Sequence, residues 1–215
     1  MRDFMANGKP VLLAALFVAG AGSLHSATVD DLNNGKVAVT EVRLAPGEHE
    51  AVNGSHPSVV VYLAGDSARI KFADGKVKQE TITRGETLRE PAEAGVLTNS
   101  GHKPLHLVRV EFLTDGSGET WARNGLAPTS QMIFEDRLSR TYNIRVPAHA
   151  WEPLHSHHDR VTVCLEGARL EHILPDGSIQ PATLKTDDVG WRPAQTHKGH
   201  NLSDTNLWVV AIEPK

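Results

Sequence analysis

Apolar and polar residues alternate along this chain with a period of two, the spacing that turns one side of an extended strand toward a core. Val37 to Leu44 follows that rule, Ser58 to Leu63 is a β-branched run, and Ala68 to Phe72 leads into an Asp74-Gly75 pair. Lys76 to Thr83 resumes the strand pattern, and Leu105 to Phe112 ends the first half. Asp-Gly between two such runs predicts a hairpin with a type I′ turn, because both residues tolerate positive φ. Outside the N-terminal apolar run, the pattern predicts no helix with caps, apart from a short turn around Thr129 to Asp136. Many short strands separated by turn signals predict an all-β sandwich or barrel.

The pattern occurs twice. A shift of 102 positions, without a gap, aligns Arg43 with Arg145, Val59 with Val161, Val61 with Val163, Leu63 with Leu165 and Gly65 with Gly167. The same shift aligns Asp74-Gly75 with Asp176-Gly177, Pro91-Ala92 with Pro193-Ala194, Asn99 with Asn201, and Glu111 with Glu213. The chain is therefore read as a tandem duplication. Its copies are joined by Thr114 to about Gln131, a stretch rich in Gly, Ser, Pro and Asn whose Trp121 is expected to anchor it to a barrel.

The N-terminus has the pattern of a signal peptide: Arg2 and Lys9, an apolar run from Val11 to about Ala19, then Ala19-Gly20-Ala21. A second cut near Ser26 or Ala27 fits as well, and the run is too short for a membrane span of roughly 20 residues. A periplasmic or secreted location follows as an expectation. With 215 residues and 40% hydrophobic content the chain can bury a sizeable core. A formal charge of −4, without a Lys/Arg cluster interleaved with aromatics, argues against a nucleic-acid partner. The lone Cys164 has no disulfide partner in the chain; it is either buried and inert or, from the parity it shares with Thr162, turned into the barrel interior.

Candidate chemistry lies in the second copy. In Pro153-Leu154-His155-Ser156-His157-His158-Asp159-Arg160, strand alternation sends His155 and His157 to the same side, where two imidazoles can reach one metal ion. His158 points the other way. A third histidine, His197, follows Trp191-Arg192-Pro193-Ala194-Gln195-Thr196. The first copy has Asn53, Ser55 and Gly95 at the three positions, so the scaffold repeats without the histidines. His200 is a further candidate ligand, and Asp159 a conceivable carboxylate donor. His49, His149 and His172 read as ordinary polar or semi-buried residues. Imidazole donors suit a divalent transition metal, Fe, Mn, Ni, Zn or Cu, without choosing among them. Motifs for a serine nucleophile, a phosphate loop or a His-Glu-x-x-His zinc site do not occur.

These segments resemble the two halves of the cupin signature, in which a His-x-His on one strand meets a third His from a later strand inside a small β-barrel. What the resemblance implies is an all-β chain of two tandem jelly-roll barrels, a bicupin. Residues 1–27 would be the signal peptide, cut between 21 and 27, and 28–113 a degenerate, metal-free barrel. Residues 114–133 would form the linker and 134–215 the metal-binding barrel. Cupins often add a Glu ligand just before the next strand; Arg160 stands there, and a guanidinium has no acceptor for a metal. Gln195 replaces the usual Gly of the second motif, whose His comes one residue early, and Asp187 stands where the first copy keeps Gly85.

Arg160 and Arg192 flank the site and are either a clamp for a substrate carboxylate or ordinary salt-bridging residues. Trp151 and Trp191 either wall the pocket or pack. Two functional readings follow: a metal-dependent enzyme of the oxygenase, isomerase or lyase type acting on a small oxygenated or carboxylate metabolite, or a non-catalytic module that binds a small molecule or metal. The expected partners are that small molecule and a second copy of the chain as a homodimer.

Overall fold

A computed structural model describes residues 32–119, 121 and 126–215, so the expected signal peptide lies outside the described residues. The first copy contributes β1 (Leu32–Asn33), β2 (Val37–Leu44), β3 (His49–Val52), β4 (Ser58–Ala64), β5 (Ser67–Phe72), β6 (Val77–Thr81), β7 (Thr87–Glu90), β8 (Gly95–Asn99) and β9 (Leu105–Phe112). The second contributes β10 (Ser130–Glu135), β11 (Ser139–Val146), β12 (Trp151–His157), β13 (Arg160–Glu166), β14 (Ala168–Ile173), β15 (Ile179–Leu184), β16 (Val189–Arg192), β17 (Gln195–Asn201) and β18 (Leu207–Pro214). Adding 102 to the first residues of β2, β4, β7 and β9 gives those of β11, β13, β16 and β18. Each copy is a five-stranded sheet, β1-β2-β9-β4-β7 or β10-β11-β18-β13-β16, facing a four-stranded one, β3-β8-β5-β6 or β12-β17-β14-β15. Among the described residues no helix is long and apolar enough to cross a membrane.

The β-branched runs are buried on both faces because the two copies share a core. In β13, Val161, Val163 and Leu165 enter a layer with Val59, Val61 and Leu63 of β4, while Val210 and Ile212 meet Val108 and Val110. The alternate residues turn inward: Val60 and Tyr62 into the first barrel, Cys164 into the second. Cys164 is 1% exposed, and burial raises its thiol to about 11, so it is a packing residue on the barrel interior. Polar contacts rim the shared layer. Arg84 donates to the Leu165 carbonyl at 2.6 Å and pairs with Asp187 at 2.7 Å, and Arg89 donates to Ser139 at 2.7 Å.

Two local expectations change. The Asp-Gly hairpins are not type I′: Gly177 N–H donates to the Leu174 carbonyl and Leu174 N–H to that of Ser178, both at 2.9 Å, and of the pair only Gly177 has positive φ. This is a type I turn closed by a left-handed glycine, and Pro175, whose ring holds φ near −65°, is incompatible with the positive φ of type I′. The helical turn expected over 129–136 is instead β10, an edge strand on β11 that begins inside the presumed linker. Met132 packs on the second barrel's interior cluster and Phe134 on the shared layer. Asp187 takes the glycine position at φ 68, where it faces Arg84. Trp121 does anchor its segment, stacking on His158 at 3.8 Å.

Gly85 and Gly75 share positive φ, 83° and 88°, but differ in surroundings. A Cβ on Gly85 would meet the Trp208 ring at 2.2 Å, whereas Gly75 has nothing within 4 Å. Gly75→Ala is expected to cost about 1 kcal/mol from backbone strain alone, and Gly85→Ala about 3 kcal/mol because overpacking adds to it. Urea unfolding of the two variants measures the difference.

Candidate metal centre

β12 and β17 are antiparallel neighbours, and their register sets His155 directly opposite His197. Strand alternation then turns His157 to the same interior side. All three are buried, at 5%, 6% and 3% exposure, and their ligand nitrogens lie within 4.8 Å of one another. The Nε2 atoms of His155 and His157 are 3.0 Å apart, as for two nitrogens each about 2.1 Å from one ion and at right angles about it.

The opposite ring nitrogens are all engaged. Nδ1 of His155 donates to the Pro153 carbonyl at 2.8 Å, and Nδ1 of His197 to Gln195 Oε1 at 3.0 Å. Nδ1 of His157 meets the Tyr142 hydroxyl at 2.8 Å, and that hydroxyl donates to Glu213 Oε1, also at 2.8 Å. Glu213 is fully buried and further accepts Arg140 Nε at 2.7 Å and the His158 amide at 3.0 Å. Three Nδ1–H groups held this way leave three Nε2 lone pairs converging, the tautomer a metal needs. Burial, followed by the Arg160 charge, holds His157 well below the ordinary histidine range; burial, followed by the neighbouring His172, pushes His197 down to about 3. The residues therefore fit a divalent ion. The first copy has Ala38 and Thr40 in place of Arg140 and Tyr142, so the support for the ligands is also missing there.

A cavity of about 440 Å³ opens beside this group, lined among others by His197, His172, Arg160, Arg192 and Glu152. Arg160 is 6% exposed; its Nη1 donates to the carbonyls of His158 and Pro193, both at 3.2 Å, and its Nε is buried without a partner among the described residues. Arg192 stands opposite it in the β13–β16 register and is exposed at the mouth. The other candidates point elsewhere. His200 stacks on Trp151, which is 57% exposed and walls nothing. Asp159 accepts the Ala194 amide at 2.8 Å, and Trp191 packs against the shared layer.

Two cavity residues escaped the sequence reading. His172 stacks on His197 at 4.2 Å, with an interplanar angle of 6°, and burial takes it down to about 4. The signal was available, since Ala168, Leu170 and His172 alternate on one strand and the first copy has the core residue Ile70 there. Glu152 is buried because a bulge between Glu152 and His155 restores it to the inward face, against simple alternation.

No protein-family model matches the sequence, and no curated protein does. Solved structures do. AerE from Microcystis aeruginosa superposes with a TM-score of 0.62 at 13% identity, over 84% of this chain and 88% of that one. The Mn(II)-containing oxalate decarboxylase of Bacillus subtilis gives 0.55 at 14%, over 83% and 68%. A cupin 2 conserved barrel domain protein from Leptotrichia buccalis gives 0.55 at 15%, over 85% and 86%. The chain thus has the cupin fold, and with one barrel from each copy it has the two-barrel form of that fold.

Tyr142→Phe removes the acceptor that holds His157 Nδ1–H and is expected to weaken metal binding by about 10- to 100-fold, read by titration against a chelator. The metal-free protein should lose stability as pH falls from about 6.5 toward 3 to 4, the values of His197 and His172. In that window the unfolded chain binds protons that the folded one refuses; above it the penalty vanishes, and below it His197 and His172 add no more while His157, held lower still, continues to add. Denaturation of the metal-free protein across that range checks the sign.

Proposed function

We propose that the protein is an exported, metal-dependent enzyme that acts on a small carboxylate-bearing metabolite, with one metal ion held by His155, His157 and His197. One observation carries the substrate class: Arg160 is a buried guanidinium on the cavity wall, and no carboxylate among the described residues pairs with it. Glu213 and Asp159 offset its charge only from a distance; a buried cation without a paired carboxylate is costly, and a substrate carboxylate supplies that partner. Arg192 at the mouth adds a second cation that draws anions toward the site.

Each residue then has a part. The histidines keep their Nε2 atoms unprotonated, Tyr142 and Glu213 keep His157 in that tautomer, and Arg160 orients the carboxylate by a charge-assisted contact. His172, flat against His197, limits the rotation of that ring. When bound, the metal would polarise a substrate oxygen or lower the pKa of water. Oxygenase, isomerase and lyase chemistries all fit such a set, and the likeness to oxalate decarboxylase is one of fold. Export rests on the signal-peptide pattern of residues 1–27.

Metal analysis of the protein from its natural compartment should find one ion per chain, lost in His155→Ala and His157→Ala. Metal that stays in both variants would sink the ligand assignment. With small oxygenated acids, followed by oxygen uptake and product analysis, Arg160→Gln should raise KM by about 10- to 100-fold, the worth of a hydrogen bond to a charged group, with metal content unchanged. An unchanged KM would remove Arg160 from the substrate site. Mass spectrometry of the exported protein should find a mature N-terminus after a cut between residues 21 and 27.

A further inference from the structure

The two barrels are internal controls for each other, and the offset of 102 exposes where their interiors differ. The first barrel is filled inside by Tyr62, Leu97, Leu107 and Arg109, each 6% exposed or less. The second has Cys164, Gly199, Val209 and Ala211 at those positions. These four exchanges run from larger to smaller, while Ala68 and Val42 give way to the larger Leu170 and Ile144. Of the four smaller residues, Val209 lines the cavity of the second barrel, whose wall also includes Leu170, Ile144 and Leu207 as well as the polar groups.

Gly199 is the informative exchange. It is paired with Glu152 on one side and with His172 on the other, so the three form a row across β12, β17 and β14, one inward position deeper than the His155–His197 pair. A Cβ on Gly199 would lie 2.6 Å from Glu152 Oε2. The missing side chain is therefore the space into which the carboxylate reaches. Glu152 is 8% exposed; Oε1 accepts a hydrogen bond from Thr129 Oγ1, and Oε2 meets no donor among the described residues. Oε2 is not sealed off but open to the cavity that Glu152 lines, where a donor can reach it.

We infer that the cavity wall at Glu152, whose side chain the bare Gly199 makes room for, is a specificity subsite that receives a hydrogen-bond donor, an amino or hydroxyl group, and that Glu152 is the residue that anchors it. Resting on the carboxylate reading of Arg160, this makes the substrate bifunctional: an acid group toward Arg160, a short apolar body against Leu207 and Val209, and a donor group at Glu152. Acids lacking the donor leave Glu152 Oε2 unpaired, and dicarboxylates set a second anion against it.

Calorimetry with two probe sets tests this on the metal-free protein. The first set is n-alkylammonium ions and n-alkanols of three to five carbons, which have the donor and no acid. They should bind the wild type, bind Arg160→Gln equally, and lose about tenfold or more in affinity on Glu152→Gln, the worth of a hydrogen bond to a charged group. The second set is straight-chain ω-amino and ω-hydroxy acids against alkanoic and dicarboxylic acids of equal length. The donor-bearing acids should bind about tenfold tighter or better, and Gly199→Ala should erase that preference. An amine preferred over its alcohol identifies a cationic group; equal binding identifies a shared hydroxyl-type donor. The inference is overturned if neither amines nor alcohols bind the wild type, or if their binding survives Glu152→Gln. Amine or alcohol binding that depends on Glu152, with no acid affected by Arg160→Gln, would retain the pocket and discard the carboxylate reading.

Discussion

The structure depends on one apolar layer, the contact between the two five-stranded sheets. β4 and β13 sit in it with both faces covered, which is why Ser58 to Leu63 and Val161 to Leu165 are nearly continuous apolar runs and not clean alternations. Each fully buried Val, Leu or Ile there contributes on the order of 1.5–3 kcal/mol against exposure. That stabilisation resides between the barrels and not within either one. The second barrel's interior is thereby released from having to be a filled core.

What it holds instead is a cost, offset locally. Glu213 is a fully buried carboxylate surrounded by Arg140, Tyr142 and the His158 amide, and a buried charge persists only when its lone pairs are taken. That set also fixes His157. Stability and site preparation are thus the same contacts, and the first barrel, which has Glu111 but Ala38 and Thr40 in place of the arginine and the tyrosine, lacks this set. Trp121 covers the set from outside, stacked on His158 with Arg140 5.3 Å from its ring.

Much of this was legible from residues. Strand β2 and the common side of His155 and His157 follow from alternation, because side-chain direction in a strand is a local property, and β11 and β18 follow from β2 and β9 through the repeat. The hairpin type was misread because Asp-Gly suits more than one turn, and the neighbouring Pro175 excludes the one chosen. β10 was misread because an edge strand with a bulge at Met132 to Phe134 carries a broken period. His172 and Glu152 were overlooked for different reasons. The first has a readable parity whose partner ring is distant in sequence; the second depends on a bulge that reverses parity.

The sequence by itself determined the duplication, the all-β character and which copy carries the histidines, since each is a matter of residue type at a fixed spacing. Tertiary structure decided what those spacings meet. Only the β12–β17 register sets His155 against His197, only the packing of β13 leaves Arg160 buried with no paired carboxylate among the described residues, and only the bulge beside Pro153 turns Glu152 inward over Gly199. Register, burial and bulges are properties of chain segments brought together from afar, and no local pattern records them.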